Sequence, residues 1–431
     1  MQKIDIHCNM KVHFIGENGV SMARLKALTL KLGHDVTGSD ERTTGHSEDN
    51  VRGVDMVVYS GAVKSDNCEL LYALQNGIPA IERSKFLSAI ASGYNRVIAI
   101  AGSHGKTTVT AMVATALGSL CPTVHIGASY DYALDEQRDL FISEACEYRK
   151  SLLELSPDLG VVLNVELDHT DCYGSVDEIV ETFALYAHKC KTALINGDDK
   201  RLLANVHTCA YTFGFGLDND YRLDNLAPNE YGGISFDYYA NDKYVNRVNL
   251  KVKGEHNALN ALCALAVADI YKIPFCDACK RLEKFVGVSR RQQLLGEIKG
   301  AKVYTDYAHH PTEIKATLSA LKSGGRLVVV FEPHTYSRTK DLFDGFATAF
   351  ILADEVIVAP VYGSRESVGE IGSEELTEEI AKRQKARFFR SYDKINSYVK
   401  KIIKKGDVVV YLGAGTINEC AQSLMATQQS K

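Results

Sequence analysis

Proline is scarce in this chain, eight in 431 residues, and no run of about 18 uncharged apolar residues occurs. The first shortage excludes collagen-like and Pro-rich disordered polymers, and the second excludes an ordinary membrane-spanning helix. Met1 to Met10 carries one lysine and no apolar core of the kind a secretory leader needs, so the expectation is a cytoplasmic protein without membrane insertion. A cationic excess is missing too. The 49 Lys and Arg face 54 Asp and Glu, a formal charge of -5, which supplies no bulk field for a nucleic-acid backbone. Paired cysteine motifs are absent. The count of eleven is odd for a disulfide framework, and the single C-x-x-C, Cys276-Asp-Ala-Cys279, has no second pair at zinc-finger spacing. Its three-residue spacing predicts a core helix.

What is present is ordinary globular composition, 45% hydrophobic and 24% charged, in a length that suggests three domains at roughly 150 residues each. Strand-like and helix-like patterns alternate throughout, so the expected class is α/β with parallel sheets. The boundaries fall at 1–92, 93–287 and 288–431, with hinges at the polar Ser92-Gly-Tyr-Asn95 and at Gly287-Val-Ser289. The outer domains read as Rossmann-like. In the first, strands are expected at Lys11 to Ile15, Asp35 to Thr37 and Asp55 to Tyr59. The central domain reads as a phosphate-loop ATPase core, with strands at Val97 to Ala101, Leu140 to Ser143 and Val161 to Val165. A small antiparallel meander is expected between Tyr221 and Val252. The third should repeat strand and helix four times, with strands at Lys302 to Thr305, Leu327 to Phe331, Val356 to Ala359 and Val408 to Leu412.

The strongest motif is Gly102-Ser-His-Gly-Lys-Thr-Thr108, set between a buried strand and a helix. Glycines there let backbone N–H groups of Gly102, Ser103, His104 and Gly105 close on phosphate oxygens at a helix N-terminus. Lys106 would reach the β and γ phosphates of ATP, and the hydroxyl of Thr107, with Thr108 beside it, would meet a magnesium ion. The full Walker spacing is not met, since Ile100 stands where its first glycine belongs. Two acidic segments, Glu144-Ala-Cys-Glu147 and Glu166-Leu-Asp-His169, follow strands of the same block and should reach the same sheet edge. Glu144 suits magnesium, and His169 is a less usual ligand for it. Taken alone, the Asp-His pair reads as a helix cap.

Together these segments resemble a Mur ligase over nearly the whole length. The phosphate loop, Glu144-Ala-Cys-Glu-Tyr-Arg149, Asn164-Val-Glu-Leu-Asp-His169 and Gly254-Glu-His-Asn-Ala-Leu-Asn260 are each similar to that family's motifs. So are Asp306-Tyr-Ala-His-His-Pro-Thr-Glu313, Pro333-His-Thr-Tyr-Ser-Arg-Thr339 and Arg290-Arg291. The resemblance implies an ATP- and magnesium-dependent ligase of peptidoglycan precursor synthesis, with UDP-N-acetylmuramate and L-alanine as partners and an acyl phosphate between them. It implies that Lys106 and Thr107 hold triphosphate and metal, and that Glu144 and His169 take magnesium. Asn257 would lie by the nucleotide, Asp306 would meet the ribose, and Arg291 would reach the phosphates. His310, His334 and Arg338 would face the sugar carboxylate and the alanine. The residues alone read differently for His309 and His310, as a solvated turn before Pro311.

The first domain departs from the family. Where the family has G-x-G-G-x-G, this chain has Gly16-Glu-Asn-Gly-Val-Ser21, which puts the Glu17 carboxylate beside an expected diphosphate and should repel it. Asp40 to Val54 is short, and Thr305 replaces the upstream acid of a paired motif. Other readings of the same core are a ligase that joins a ready-made tripeptide to the same sugar nucleotide, a homologue that binds nucleotide without ligating, and a switch-type NTPase. The last leaves the third-domain motifs without a role.

Overall fold

The computed structural model describes residues 9–128, 137–169, 172–208, 210–322, 324–364 and 366–429. Residues 1–8 of the opening stretch lie outside them. Among the described residues the strands form three sheets, one in each expected domain. In the first, β1 (Lys11–Ile15), β2 (Asp35–Ser39), β3 (Met56–Tyr59) and β4 (Ala80–Glu82) run parallel in the order β2-β1-β3-β4.

The central sheet is built on β5 (Arg96–Ala101), β6 (Thr123–His125), β7 (Leu140–Glu144), β8 (Leu159–Val162), β9 (Thr192–Asn196) and β10 (Ala210–Gly214). An antiparallel meander, β11 (Tyr221–Pro228), β12 (Ile234–Ala240) and β13 (Lys243–Asn249), extends its edge, as the alternating pattern predicted. The order is β13-β12-β11-β10-β9-β8-β5-β7-β6, so β5 sits where the strand order reverses. In an open parallel sheet that reversal opens a crevice beyond the carboxyl ends.

β5 is legible because both its faces are buried. Ile98 and Ile100 pack among the helices Lys106–Ala116 and Glu255–Ile270, and Val97, Ala99 and Ala101 pack on the opposite side. A strand covered on both faces shows a continuous apolar run instead of alternation. The second of these clusters also holds Phe14, Phe86 and Ile90, so the first domain shares an apolar core with the central one.

In the third domain, β14 (Gln293–Ile298) is antiparallel to β15 (Ala301–Asp306), and β16 (Leu327–Phe331), β17 (Glu355–Val358), β18 (Ala386–Phe388) and β19 (Val408–Leu412) complete a sheet ordered β14-β15-β19-β16-β17-β18. Its two apolar clusters contain no residue before Leu295. Apart from Val288 at its start, which packs in the central cluster, polar contacts and cavities join this domain to the rest, the kind of interface that permits relative motion.

Two expectations need correction. The strand expected at Val161 to Val165 ends at Val162: Leu163 N makes a last bond to Ala101 O of β5, and Asn164 turns to hold the phosphate loop. The third-domain sheet exceeds four strands: β14 is a largely exposed edge, and β18 has only three residues, too short for a periodic signal. The C-x-x-C does lie on a helix, Phe275–Leu282, with Cys279 buried and Cys276 exposed.

Candidate functional site

β5 delivers the chain into the phosphate loop. Gly102 has φ +141 and Gly105 φ +85, and a Cβ on Gly102 would stand 2.9 Å from Leu163 Cβ. Only glycine meets both demands without strain. The loop is pinned from the next strand: His104 N donates to Asn164 Oδ1 at 2.8 Å, Asn164 Nδ2 donates to His104 O at 3.0 Å, and Ser103 Oγ donates to Glu166 O at 3.0 Å. Lys106 then turns back, its ammonium donating to Gly102 O at 2.6 Å and lying 2.8 Å from a Glu147 oxygen. Burial opposes the Lys106 charge, and the Glu147 carboxylate more than offsets it, so the ammonium titrates above its usual range. Glu147, buried as well, is held below the usual carboxylate range by Lys106 and His169.

The sequence places Glu147 in an acidic segment at this sheet edge but gives it no role of its own. His169, with φ +56, places Nε2 3.3 Å from Glu147 Oε1. Glu144, at the end of β7, accepts from Gly127 N at 2.7 Å. Glu144, Glu147 and the Thr107 hydroxyl give the oxygen-rich donors that magnesium prefers. Asp168, expected as a cap, instead receives Arg338 from the third domain, with Nη2 at 2.7 Å and Nε at 3.2 Å from Oδ1. Arg338 also meets His334 Nδ1 at 3.1 Å.

His309 and His310 are not a solvated turn. His310 is 6% exposed, accepts from Thr312 N at 3.3 Å through Nδ1, and packs its ring on that of His104 with centroids 4.7 Å apart. Burial also pushes His309 down to about 4 and, with His309 and Arg338 nearby, His334 down to about 3. His104 goes the other way. Burial opposes its charge, but hydrogen bonds to Glu166 and Glu313, at 3.0 and 3.4 Å, raise it to about 9. Those two acids belong to different domains.

Two cavities open on this assembly. One of about 730 Å³ lies between the second and third domains, lined by His104, Thr108, Asn257, Arg291 and Asp306 among others. Asn257 donates to Lys253 O at 2.7 Å, and Arg291 lies 3.5 Å from Glu313. Asp306 accepts backbone N–H bonds from Gln292 and Ala308, both at 2.7 Å, so it also fastens the turn at the cavity wall. The other cavity, about 430 Å³, is walled by all three domains: Gly61 from the first, Arg149 and His169 from the second, His334 and Arg338 from the third.

In the first domain the expected repulsion is answered locally. The Glu17 carboxylate forms an ion pair with Lys26 and lies against Gly38, where a Cβ would overlap it. Arg83 donates to Ser21 Oγ at 2.9 Å, adding positive charge at the end of the altered loop. The short segment after Asp40 is tied down by the fully buried Glu69, which accepts from Ser39 Oγ at 2.6 Å, Asn50 Nδ2 at 2.7 Å and Ser47 N at 3.2 Å, and meets His46 at 2.9 Å. No local sequence signal marks Glu69, which sits on an unremarked helix, Cys68–Gln75.

Comparison with known proteins agrees with this architecture. The model of the Mur ligase family catalytic domain matches residues 11–95, the Mur ligase middle domain residues 100–268, and the Mur ligase glutamate ligase domain residues 290–415. A UDP-N-acetylmuramate–L-alanine ligase of Clostridium acetobutylicum is 40% identical over 447 residues, spanning 96% of this chain and 97% of the relative. The solved UDP-N-acetylmuramate-alanine ligase of Thermotoga maritima superposes with a TM-score of 0.84 at 26% identity, over 98% of this chain and 99% of that one. A murein peptide ligase of Psychrobacter arcticus shares the fold with a TM-score of 0.71 at 24% identity, over 97% and 98%.

Proposed function

Because this chain belongs to the Mur ligase family, we propose that it joins L-alanine to the carboxylate of UDP-N-acetylmuramate at the expense of ATP, a step of peptidoglycan precursor synthesis. The observation that carries the reading is the meeting of the Lys106 loop, at the strand reversal, with Arg291, His334 and Arg338 of the third domain around two adjoining cavities.

A carboxylate is a poor electrophile. Phosphorylation by ATP gives an acyl phosphate with a good leaving group, which the neutral amine of alanine attacks. In this reading the nucleotide occupies the larger cavity, beside Asn257. Each Asp306 oxygen accepts one backbone bond and keeps a lone pair for a ribose hydroxyl. The N–H groups of Gly102 to Thr108 and the Lys106 ammonium cradle the phosphates, with Arg291 opposite. Thr107, Glu144, Glu147 and His169 would hold magnesium, which would offset the charge of the transferring phosphoryl group.

The sugar acid and alanine occupy the smaller cavity. Arg338 supplies fixed positive charge for a carboxylate there. His334, held neutral at pH 7, offers hydrogen bonding without competing charge. His310 packs its ring against that of His104, which lines the larger cavity. In this reading the third domain moves about the segment near Gly287, so that closure excludes water from a hydrolysable intermediate. The Lys26 partner of Glu17 removes the main argument for a homologue that cannot ligate.

Lys106→Ala tests the reading: product formation should fall at least about a thousandfold, as loss of a phosphate clamp does. Ligation near the unaltered rate would remove the phosphate loop from the mechanism.

A further inference from the structure

We propose that His104, Glu166 and His310 form a binding site for a transition metal of the zinc class, separate from the magnesium donors and fastening the second domain to the third. One ligand atom of each lies within 4.8 Å of the others. Glu166 Oε2 stands 3.0 Å from His104 Nε2 and 3.5 Å from His310 Nδ1. Four-coordinate zinc with bonds of about 2.05 Å requires donors about 3.3 Å apart; the two separations to Glu166 bracket that figure, and the two imidazole nitrogens lie within 4.8 Å of each other, close enough to be drawn onto one ion.

The donor chemistry discriminates between metals. Two imidazoles and one carboxylate suit zinc and cobalt, the ion displacing to solvent the Nε2 proton that His104 otherwise directs at Glu166, and they leave a fourth position for water, whereas magnesium favours an all-oxygen shell. An outer carboxylate is also in place: Glu313 lies 3.4 Å from His104 Nδ1, which fixes the ring with Nε2 toward Glu166. His310 Nδ1 accepts a 3.3 Å bond from Thr312 N, and that lone pair is the one the metal would take; its Nε2 meets no hydrogen-bond partner among the described residues.

His104 and Glu166 come from the second domain and His310 from the third, so a bound ion holds that interface closed. His104 and Glu166 also line the larger cavity. Nucleotide and this metal are therefore expected to oppose one another.

The test is titration of the full-length chain, free of nucleotide, with Co2+ followed by its visible absorption. The site requires one ion per chain with the strong absorption of a four-coordinate centre, displaced by Zn2+ and not by millimolar Mg2+. Glu166→Gln and His310→Ala should each weaken binding at least about tenfold, while His169→Ala should leave it unchanged. Circular dichroism of each variant checks that it is folded, and the isosteric Glu166→Gln serves if His310→Ala is not. No binding, unaltered affinity in the Glu166 variant, or loss of the ion in His169→Ala would overturn the proposal.

Discussion

The Lys106 ammonium lies 2.8 Å from the Glu147 carboxylate, and the same carboxylate lies 3.3 Å from His169. One buried acid thus neutralises the phosphate-loop lysine and orients a candidate metal ligand. Glu147→Gln keeps the shape and removes the charge, leaving a buried ammonium without its partner. Loss of one member of a buried pair costs about 3–5 kcal/mol. Chemical unfolding followed by fluorescence should show a lower midpoint, and turnover should drop by about a hundredfold or more. An unchanged midpoint with full turnover would mean that Glu147 is incidental.

Asp168 and Arg338 are 170 residues apart and join two domains through a single carboxylate oxygen. Asp168→Asn should loosen the third domain and misplace Arg338. Steady-state kinetics are expected to show the KM for alanine rising roughly tenfold, with the KM for ATP changed less. Equal changes in both would place Arg338 away from the amino-acid cavity.

Acid should attack the first domain by way of Glu69. Burial opposes its charge, but His13, Ser39, Asn50 and Ser47 outweigh that and hold it at about 2, below the ordinary 4.5. A carboxyl depressed on folding stabilises the native state above its unfolded value, and that contribution is lost as pH falls through the folded value. Stability should decline between about pH 4.5 and 2, and Glu69→Gln, less stable at neutral pH, should show a shallower decline. Parallel pH profiles for the two proteins, measured by thermal unfolding, would refute this.

Lys26 is expected to matter to the sugar nucleotide and not to ATP. Without it, Glu17 presents an unpaired negative charge near the altered glycine loop. Lys26→Ala should raise the KM for UDP-N-acetylmuramate several-fold and leave the ATP dependence unchanged, and Glu17→Gln in that background should restore it. A KM insensitive to both changes would place the diphosphate elsewhere.

Much of the framework was legible because buried parallel strands announce themselves. Val97 to Ala101, Leu327 to Phe331 and Val408 to Leu412 are continuous apolar runs, and glycines beside Lys106 mark the loop between strand and helix. The Asp168–Arg338 and His104–Glu313 contacts were not legible, since pairing across domains leaves no trace in local spacing. His310 was misread for the same reason: a histidine before proline looks solvated until the second domain is packed over it. Glu17 looked repulsive because Lys26, on the following helix, is brought to it only by the fold.

Phosphate release from ATP, with magnesium and with UDP-N-acetylmuramate and L-alanine supplied separately and then together, tests the central claim most directly. The account predicts release only with both present, and a product heavier than the sugar nucleotide by one alanine residue. Turnover with tripeptide but not alanine, or release indifferent to either substrate, would contradict it.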